Sequence, residues 1–445
     1  LGLAAGVGLR ASEDFVTDRS KIRAYASPAV LAALVLSLLM IPAVAMPDDE
    51  LLGTRPETAD SLWVEDLDYL ARELPDRHKN LFFNLPEAEF YSMVEQLRTT
   101  IPELSEYEMV VGIMRILASV GDPHTLAGIG VTDLFRKLPV ETEWFGEELF
   151  VVRTAADLRA LLGRRVLGIN GRPIEEVHEL LSEVIPHPNL ALLRGRGPRH
   201  LMFPEILAAL GIVDDPDSVF FEFDSIGDYP IAAIPLNRKI DWVSVLDGIT
   251  CDLPLYLTNP DQYYWFTYLE DPDVLYIKYA ACTDMKAKPF AVFTEEVLSA
   301  VDSLPVDKLV FDMRSNGGGN SALAGPLISG IKARAHLNRK GRLFVIVGRR
   351  TFSSAILNTL ELMNGGRALL VGEETGGGPN HYGEVRFFML PNSGLPIQYS
   401  TKYFRLYPED LPSLYPDMEV QVTFEDLLSC RDPVLEAVLE YTPPD

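Results

Sequence analysis

Cysteine is scarce: the 445 residues hold three, Cys251, Cys282 and Cys430. No two form a Cys-x-x-Cys pair, so neither a zinc ribbon nor a disulfide scaffold is indicated, and at most one bridge can form. Positive charge is short as well. Against 64 Asp and Glu stand 39 Lys and Arg, a formal net charge of −25. A chain this acidic lacks the cationic surface that releases counterions from a phosphate backbone, which sets nucleic acid aside as a partner. Internal repeats and long low-complexity tracts are absent too. What is present is a 47% apolar composition, enough for a large core. At roughly 150 residues per domain, the length predicts two or three domains.

The N-terminal region is distinct. From Arg19 to Ala45 the chain reads RSKIRAYASPAVLAALVLSLLMIPAVA, basic residues followed by an apolar run and an Ala-Val-Ala end. That is the layout of a secretory signal peptide, so residues 1–45 are assigned to an N-terminal extension and export signal, and the protein to the secreted or cell-envelope space. Left uncleaved, the segment would tether the protein to a membrane, although its apolar run is short of the roughly 20 residues a spanning helix needs.

Residues 55–130 carry helical periodicity, as in Trp63, Leu67, Leu70 and Leu74, and predict a helical cap domain that ends at Gly121-Asp122-Pro123-His124-Thr125. Residues 131–255 hold strand-like runs, an Asn170-Gly171 turn and a helix near Ile174 to Ile185, an order that resembles part of a PDZ module, with a helical insertion over Pro186 to Ile212. Beyond a linker near Leu257 to Tyr263, residues 264–445 alternate strands and helices, the pattern of a layered α/β domain.

Three clusters carry candidate chemistry. Asp312-Met313-Arg314-Ser315-Asn316-Gly317-Gly318-Gly319 follows an apolar strand and precedes a helix. Such a turn brings N–H groups close to a ligand, but it lacks the Lys of a Walker loop and the spacing of a dinucleotide fingerprint, so an oxyanion is the better fit; three glycines also make an ordinary loop. Thr351-Phe352-Ser353-Ser354-Ala355 lies between a strand and a helix. A serine there is held rigidly beside the free N–H groups of a helix start, as acyl transfer requires, yet the commoner fate of such serines is to cap the helix. His124 is a loop histidine with the pKa a general base needs, and spacing alone leaves the six other histidines open.

Together these residues resemble the tail-specific (C-terminal processing) and tricorn-core family of serine peptidases over roughly Trp265 to Val422, strongest in KLVFDMRSNGGGN and in TFSSA with the later RALLVGEETGG. The resemblance implies an α/β fold with a crotonase-like (ClpP/crotonase) peptidase core, an N-terminal helical domain and a PDZ-like module. It implies Ser353 as nucleophile, with N–H groups of Gly317, Gly318 and Ser354 lining the oxyanion hole. Tail-specific members use a lysine base, and Gly378 stands in its place here; the Gly-Asp-Pro-His-Thr segment instead resembles the tricorn-like His-Ser subclass, making His124 the base. A distal acid should orient it, Glu409 or Asp410. His381 and Lys402 are rival bases, and His381 and Tyr382 are expected to line the substrate cleft. Asp312 and Arg314 are expected to frame the glycine turn.

The expected activity is hydrolysis of peptide bonds in a peptide or unfolded-protein substrate through an acyl-enzyme, with no metal or other cofactor. A non-catalytic peptide- or ligand-binding protein on the same fold and a small-acyl esterase stand as alternatives, and a homo-oligomer is left open.

Overall fold

The computed structural model describes residues 59–131, 133–364 and 367–443, and the sequence assignment of residues 1–45 lies outside them. Three helices come first, α1 (Asp60–Arg77), α2 (Glu87–Thr100) and α3 (Glu106–Ser119). Trp63, Leu67, Leu70 and Leu74 form the buried stripe of α1, as their spacing requires. Helix α3 starts where the Ser105 N–H donates to the Glu108 carboxylate at 2.8 Å. It stops at Gly121, whose φ of +79° turns the chain into the Asp122–Thr125 loop and the short strand β1 (Leu126–Ala127).

The middle of the chain builds a twisted sheet from β3 (Val140–Phe145), β4 (Glu148–Ala155), β5 (Arg165–Ile169), β6 (Arg172–Pro173), β7 (Val219–Phe223), β8 (Gly227–Ile231) and β10 (Trp242–Ser244), in the order β10-β4-β5-β7-β8 with β3 beside β4 and β6 beside β5. A separate two-stranded ladder joins β2 (Arg136–Lys137) to β9 (Ile234–Pro235). Asn170 and Gly171 both take positive φ, 48° and 77°, which suits the tight β5–β6 turn. The expected insertion is helical, with α5 (Leu190–His200) and α6 (Pro204–Ala209) following α4 (Ile174–Leu181). Helix α5 tolerates Gly195 because a side chain there would meet the Arg349 carbonyl oxygen at 3.3 Å.

The last part is a six-stranded sheet ordered β11-β12-β13-β14-β15-β18, formed by Tyr264–Glu270, Asp273–Tyr279, Lys308–Asp312, Leu343–Val347, Leu369–Gly372 and Met418–Glu419. Only β11 and β12 are antiparallel. The parallel strands β13 and β14 are buried at every position because both faces are covered. On one face lie α7 (Phe290–Ser303), α8 (Gly325–Lys332) and α9 (Ser354–Asn364); on the other lies α11 (Pro433–Glu440), beyond α10 (Phe424–Leu428).

A long hairpin, β16 (His381–Met389) and β17 (Pro396–Phe404), leaves this sheet and pairs antiparallel with β1, Leu126 opposite Gln398. The alternation of strands and helices read in residues 264–445 does not single out β16. Phe388, Leu390, Leu395 and Ile397 of the hairpin are buried in one apolar cluster with α1–α3 and the middle sheet. The helical and middle regions, expected as separate domains, therefore share a core, and the hairpin carries the loop after α3 to the end of β14.

Candidate active site

The glycine turn follows β13 and the Ser353 segment follows β14, two adjacent parallel strands whose carboxyl ends open onto one crevice. The two segments are tied together. Phe352 N–H donates to the Asn316 carbonyl at 3.0 Å, Thr351 Oγ1 to the Met313 carbonyl at 2.9 Å, and Ser354 Oγ to the Gly319 carbonyl at 2.6 Å. Ser353 takes φ +53°, a left-handed conformation that costs a residue with a Cβ. It sits immediately before the 11-residue helix α9, whose first N–H groups have no acceptor within the helix.

Gly318 presses against this elbow: a Cβ on it would lie 2.8 Å from Ser353 Cβ and 3.0 Å from Ser354 N, and its φ is +107°. Its N–H donates to Asn316 Oδ1 at 2.9 Å, so Gly318 is withdrawn from the expected oxyanion donors. Gly317, Gly319, Ser353 and Ser354 line a cavity of about 1120 Å³. Gly317 and Ser354 remain as candidate donors, with Gly319 beside them in the cavity lining.

Asp312 and Arg314 form the expected frame, Arg314 Nε donating to Asp312 at 3.1 Å. The sequence did not point to Asp432, which accepts a two-pronged bond from Arg314 with both distances at 2.9 Å, or to Tyr256, whose ring lies 4.4 Å from the guanidinium. Burial favours the neutral form of Asp312, but the Arg314 and Lys278 charges outweigh it and hold its carboxyl below the usual range.

His124 enters the same cavity from the loop after α3. Its ring stacks on Phe352 at 4.6 Å and faces His381 at 5.9 Å. It is 6% exposed, and neither ring nitrogen has a hydrogen-bond partner. His124 and Ser353 thus share a cavity without a hydrogen bond between them.

Neither expected acid meets this histidine. Glu409 and Asp410 are both exposed, Asp410 accepting from Asn380 at 2.7 Å and from Tyr403 at 3.2 Å. The carboxylate beside His124 is Asp122, two residues away and completely buried, with Oδ1 3.7 Å from His124 Nδ1 and accepting the His124 main-chain N–H at 3.0 Å. Its other oxygen accepts from His78 Nε2 at 3.1 Å, Thr125 Oγ1 at 2.7 Å and Ser400 Oγ at 2.6 Å. The Asn80 N–H donates to His78 Nδ1 at 3.1 Å, which leaves the proton of His78 on the nitrogen facing Asp122. Burial pushes the Asp122 carboxyl up, but the His124 ring close beside it and the hydrogen bond from His78 prevail and hold it far below the ordinary carboxylate range.

His381 lines the cavity, its Nδ1–H donating to the Gly378 carbonyl at 3.0 Å. Burial, with the nearby His124, lowers its pKa to about 4. Tyr382 does not line the cavity. Adjacent residues of a strand point to opposite faces, and its ring packs on Phe83 at 4.5 Å and Tyr403 at 4.7 Å. Lys402 is exposed, 3.8 Å from Glu384, and is no base for Ser353. No cluster of His, Cys, Asp or Glu among the described residues could hold a metal ion.

No protein-family model matches the sequence. No curated protein matches it either. Solved structures do match in fold. Mature CPAF complexed with lactacystin aligns with TM-score 0.59 at 13% identity, covering 85% of this chain and 97% of that one. Mature CPAF aligns with TM-score 0.58 at 12% identity, covering 85% and 96%. The photosystem II D1 C-terminal processing protease gives TM-score 0.37 at 14% identity, covering 81% and 92%. The chain is thus a mixed α/β protein with N-terminal helices whose fold is similar to that of CPAF.

Proposed function

We propose that this protein is an exported serine peptidase of the tricorn-like kind, with a crotonase-like core and a PDZ-like middle module. The observation that carries the reading is the elbow: Ser353 at positive φ, ahead of α9 and against Gly318, in one cavity with a buried, unbonded His124.

In the proposed reaction Ser353 Oγ attacks a peptide carbonyl carbon while His124 takes its proton. The carbonyl oxygen gains the charge, and N–H groups of Gly317 and Ser354 stabilise it. His124 then protonates the leaving amine and the C–N bond breaks. Water, deprotonated by His124, attacks the acyl-enzyme and frees Ser353. Asp122 takes the role sought at Glu409 or Asp410, holding the His124 loop and its charge. A cavity of about 1120 Å³ suits an extended chain more than a small acyl ester, which favours peptidase over esterase. Export is supported by a Cys251–Cys430 disulfide across 179 residues, a bond that persists in oxidising compartments.

The absence of a Ser353–His124 hydrogen bond favours the second reading, a binding protein on this fold. Labelling with a fluorophosphonate probe, with the adduct mapped by mass spectrometry, separates the two. A peptidase gives an adduct on Ser353 that is lost in Ser353→Ala and His124→Ala; a folded protein that takes no label is a binding protein.

A further inference from the structure

His78, one of the histidines that spacing leaves open, stands just past the end of α1 and outside the cavity lining. Neither its side chain nor that of Asp122 has any exposed surface. Both strands of the hairpin hold it there. The Lys79 N–H donates to the Ser400 carbonyl of β17 at 2.8 Å, and the ring of Tyr382 in β16 lies 5.4 Å from the His78 ring.

The two oxygens of Asp122 are served unequally. A carboxylate has about four lone-pair directions, two on each oxygen. Oδ2 takes three donors, from His78, Thr125 and Ser400, and has no room for another. Oδ1 takes the His124 main-chain N–H and faces His124 Nδ1 at 3.7 Å, a nitrogen without a hydrogen-bond partner. Crowding on one oxygen thus leaves the other to the proposed base.

The charge is arranged to match. Because the Asn80 N–H donates to His78 Nδ1 at 3.1 Å, that nitrogen keeps its lone pair and the ring carries one proton, on Nε2. A cation in the same place would draw on the single negative charge of Asp122. A neutral donor leaves that charge for the imidazolium that forms when His124 takes the Ser353 proton.

We infer that His78 is a positioning residue for the hydrolysis, a neutral histidine that occupies Asp122 Oδ2 and reserves Oδ1, with the charge, for His124. The inference rests on the peptidase reading. Thr125 belongs to the histidine loop and Ser400 to the hairpin, so His78 is the donor that ties this carboxylate to the helical region.

The test is the rate at which Ser353 of the full-length protein takes the fluorophosphonate, followed across probe concentrations so that the maximal rate separates from the half-saturating concentration. His78→Phe, which keeps a ring and removes the donor, should lower the maximal rate about tenfold with the half-saturating concentration unchanged. His78→Gln, whose amide donates from the place of Nε2, should recover most of that rate. A wild-type maximal rate in His78→Phe overturns the inference, as does a His78→Gln protein as slow as His78→Phe. A second measurement does not depend on how His78→Phe folds. In the Ser353→Ala protein with isotope-labelled histidine nitrogens, the His78 ring signal, assigned by its loss in His78→Gln, should show one proton, on Nε2, at neutral pH. An imidazolium or an Nδ1–H ring overturns the inference. A wild-type protein that takes no label fails the peptidase reading; a wild type that labels no faster than His78→Phe fails this inference alone.

Discussion

Gln398 donates its side-chain amide to the main-chain carbonyl of His124 at 2.8 Å, across 274 residues of sequence. With the β1–β17 pairing, this bond hangs the histidine loop on the hairpin that the last domain sends out. Replacing Gln398 with Ala should leave that carbonyl short of a donor, costing about 1 kcal/mol of stability. Fluorophosphonate labelling of Ser353 should slow by about tenfold as the loop loosens. A labelling rate equal to wild type would mean that the strand pairing alone holds His124.

Asp122→Asn should cut the labelling rate by about 10²-fold or more, in the manner of an orienting acid lost from a serine hydrolase. Glu409→Gln and Asp410→Asn should label at the wild-type rate, since both residues are exposed and away from the cavity. The pH profile of labelling should shift in Asp122→Asn alone. A loss confined to Glu409→Gln or Asp410→Asn would restore the distal acid.

Ser353→Gly should be more stable than wild type by about 1 kcal/mol, because glycine adopts φ near +53° without the Cβ penalty. Ser353→Ala, which keeps the Cβ, should gain nothing from this source. Thermal unfolding of the three proteins checks the difference. Equal midpoints for the Gly and Ala variants would remove the strain argument.

Stability should fall in two stages as pH drops. His178, His200 and His381 are each held to about 4 in the folded protein, chiefly by burial, below their ordinary 6.5. The unfolded chain therefore binds protons first, and stability is lost as pH falls from about 6.5 to 4. Asp122 adds a second loss below its ordinary 3.8, because its folded carboxyl stays charged while the unfolded one is protonated. Midpoints recorded from pH 7 to 3 test this, and His200→Gln should flatten the upper stage. A flat profile between pH 6.5 and 4 would contradict it.

Much of the core and of the elbow was legible because local pattern decides it. The helix at Phe290–Ser303, the start of α9 at Ser354, and Gly317 beside a strand end all follow from periodicity and turn residues. What escaped depends on contacts distant in sequence. The hairpin partner β16 is not readable from HYGEVRFFM alone, since its pairing is set by β17 and its apolar tip is buried under helices. Tyr382 was assigned to the cleft through its neighbour, and the pleat of the strand turns it away. Asp122 stood in the same five-residue motif as His124, but the expected acid was a distal one. Arg196 and Arg199 lie in RGRGPRH, within the insertion expected to be helical, but their place on the cavity wall is set by packing that the local pattern does not show.

Arg314 reaches the second of its two carboxylates, Asp432, only 118 residues further along the chain. Tyr256, on its other side, is joined to that same late segment through the nearby Cys251–Cys430 bond. The glycine turn is therefore framed in part by a residue made 118 residues after Arg314. During translation Ser353 is made well before the brace that steadies its oxyanion wall, so a nascent or truncated chain ending short of Asp432 carries the nucleophile with its hydrolytic apparatus unfinished.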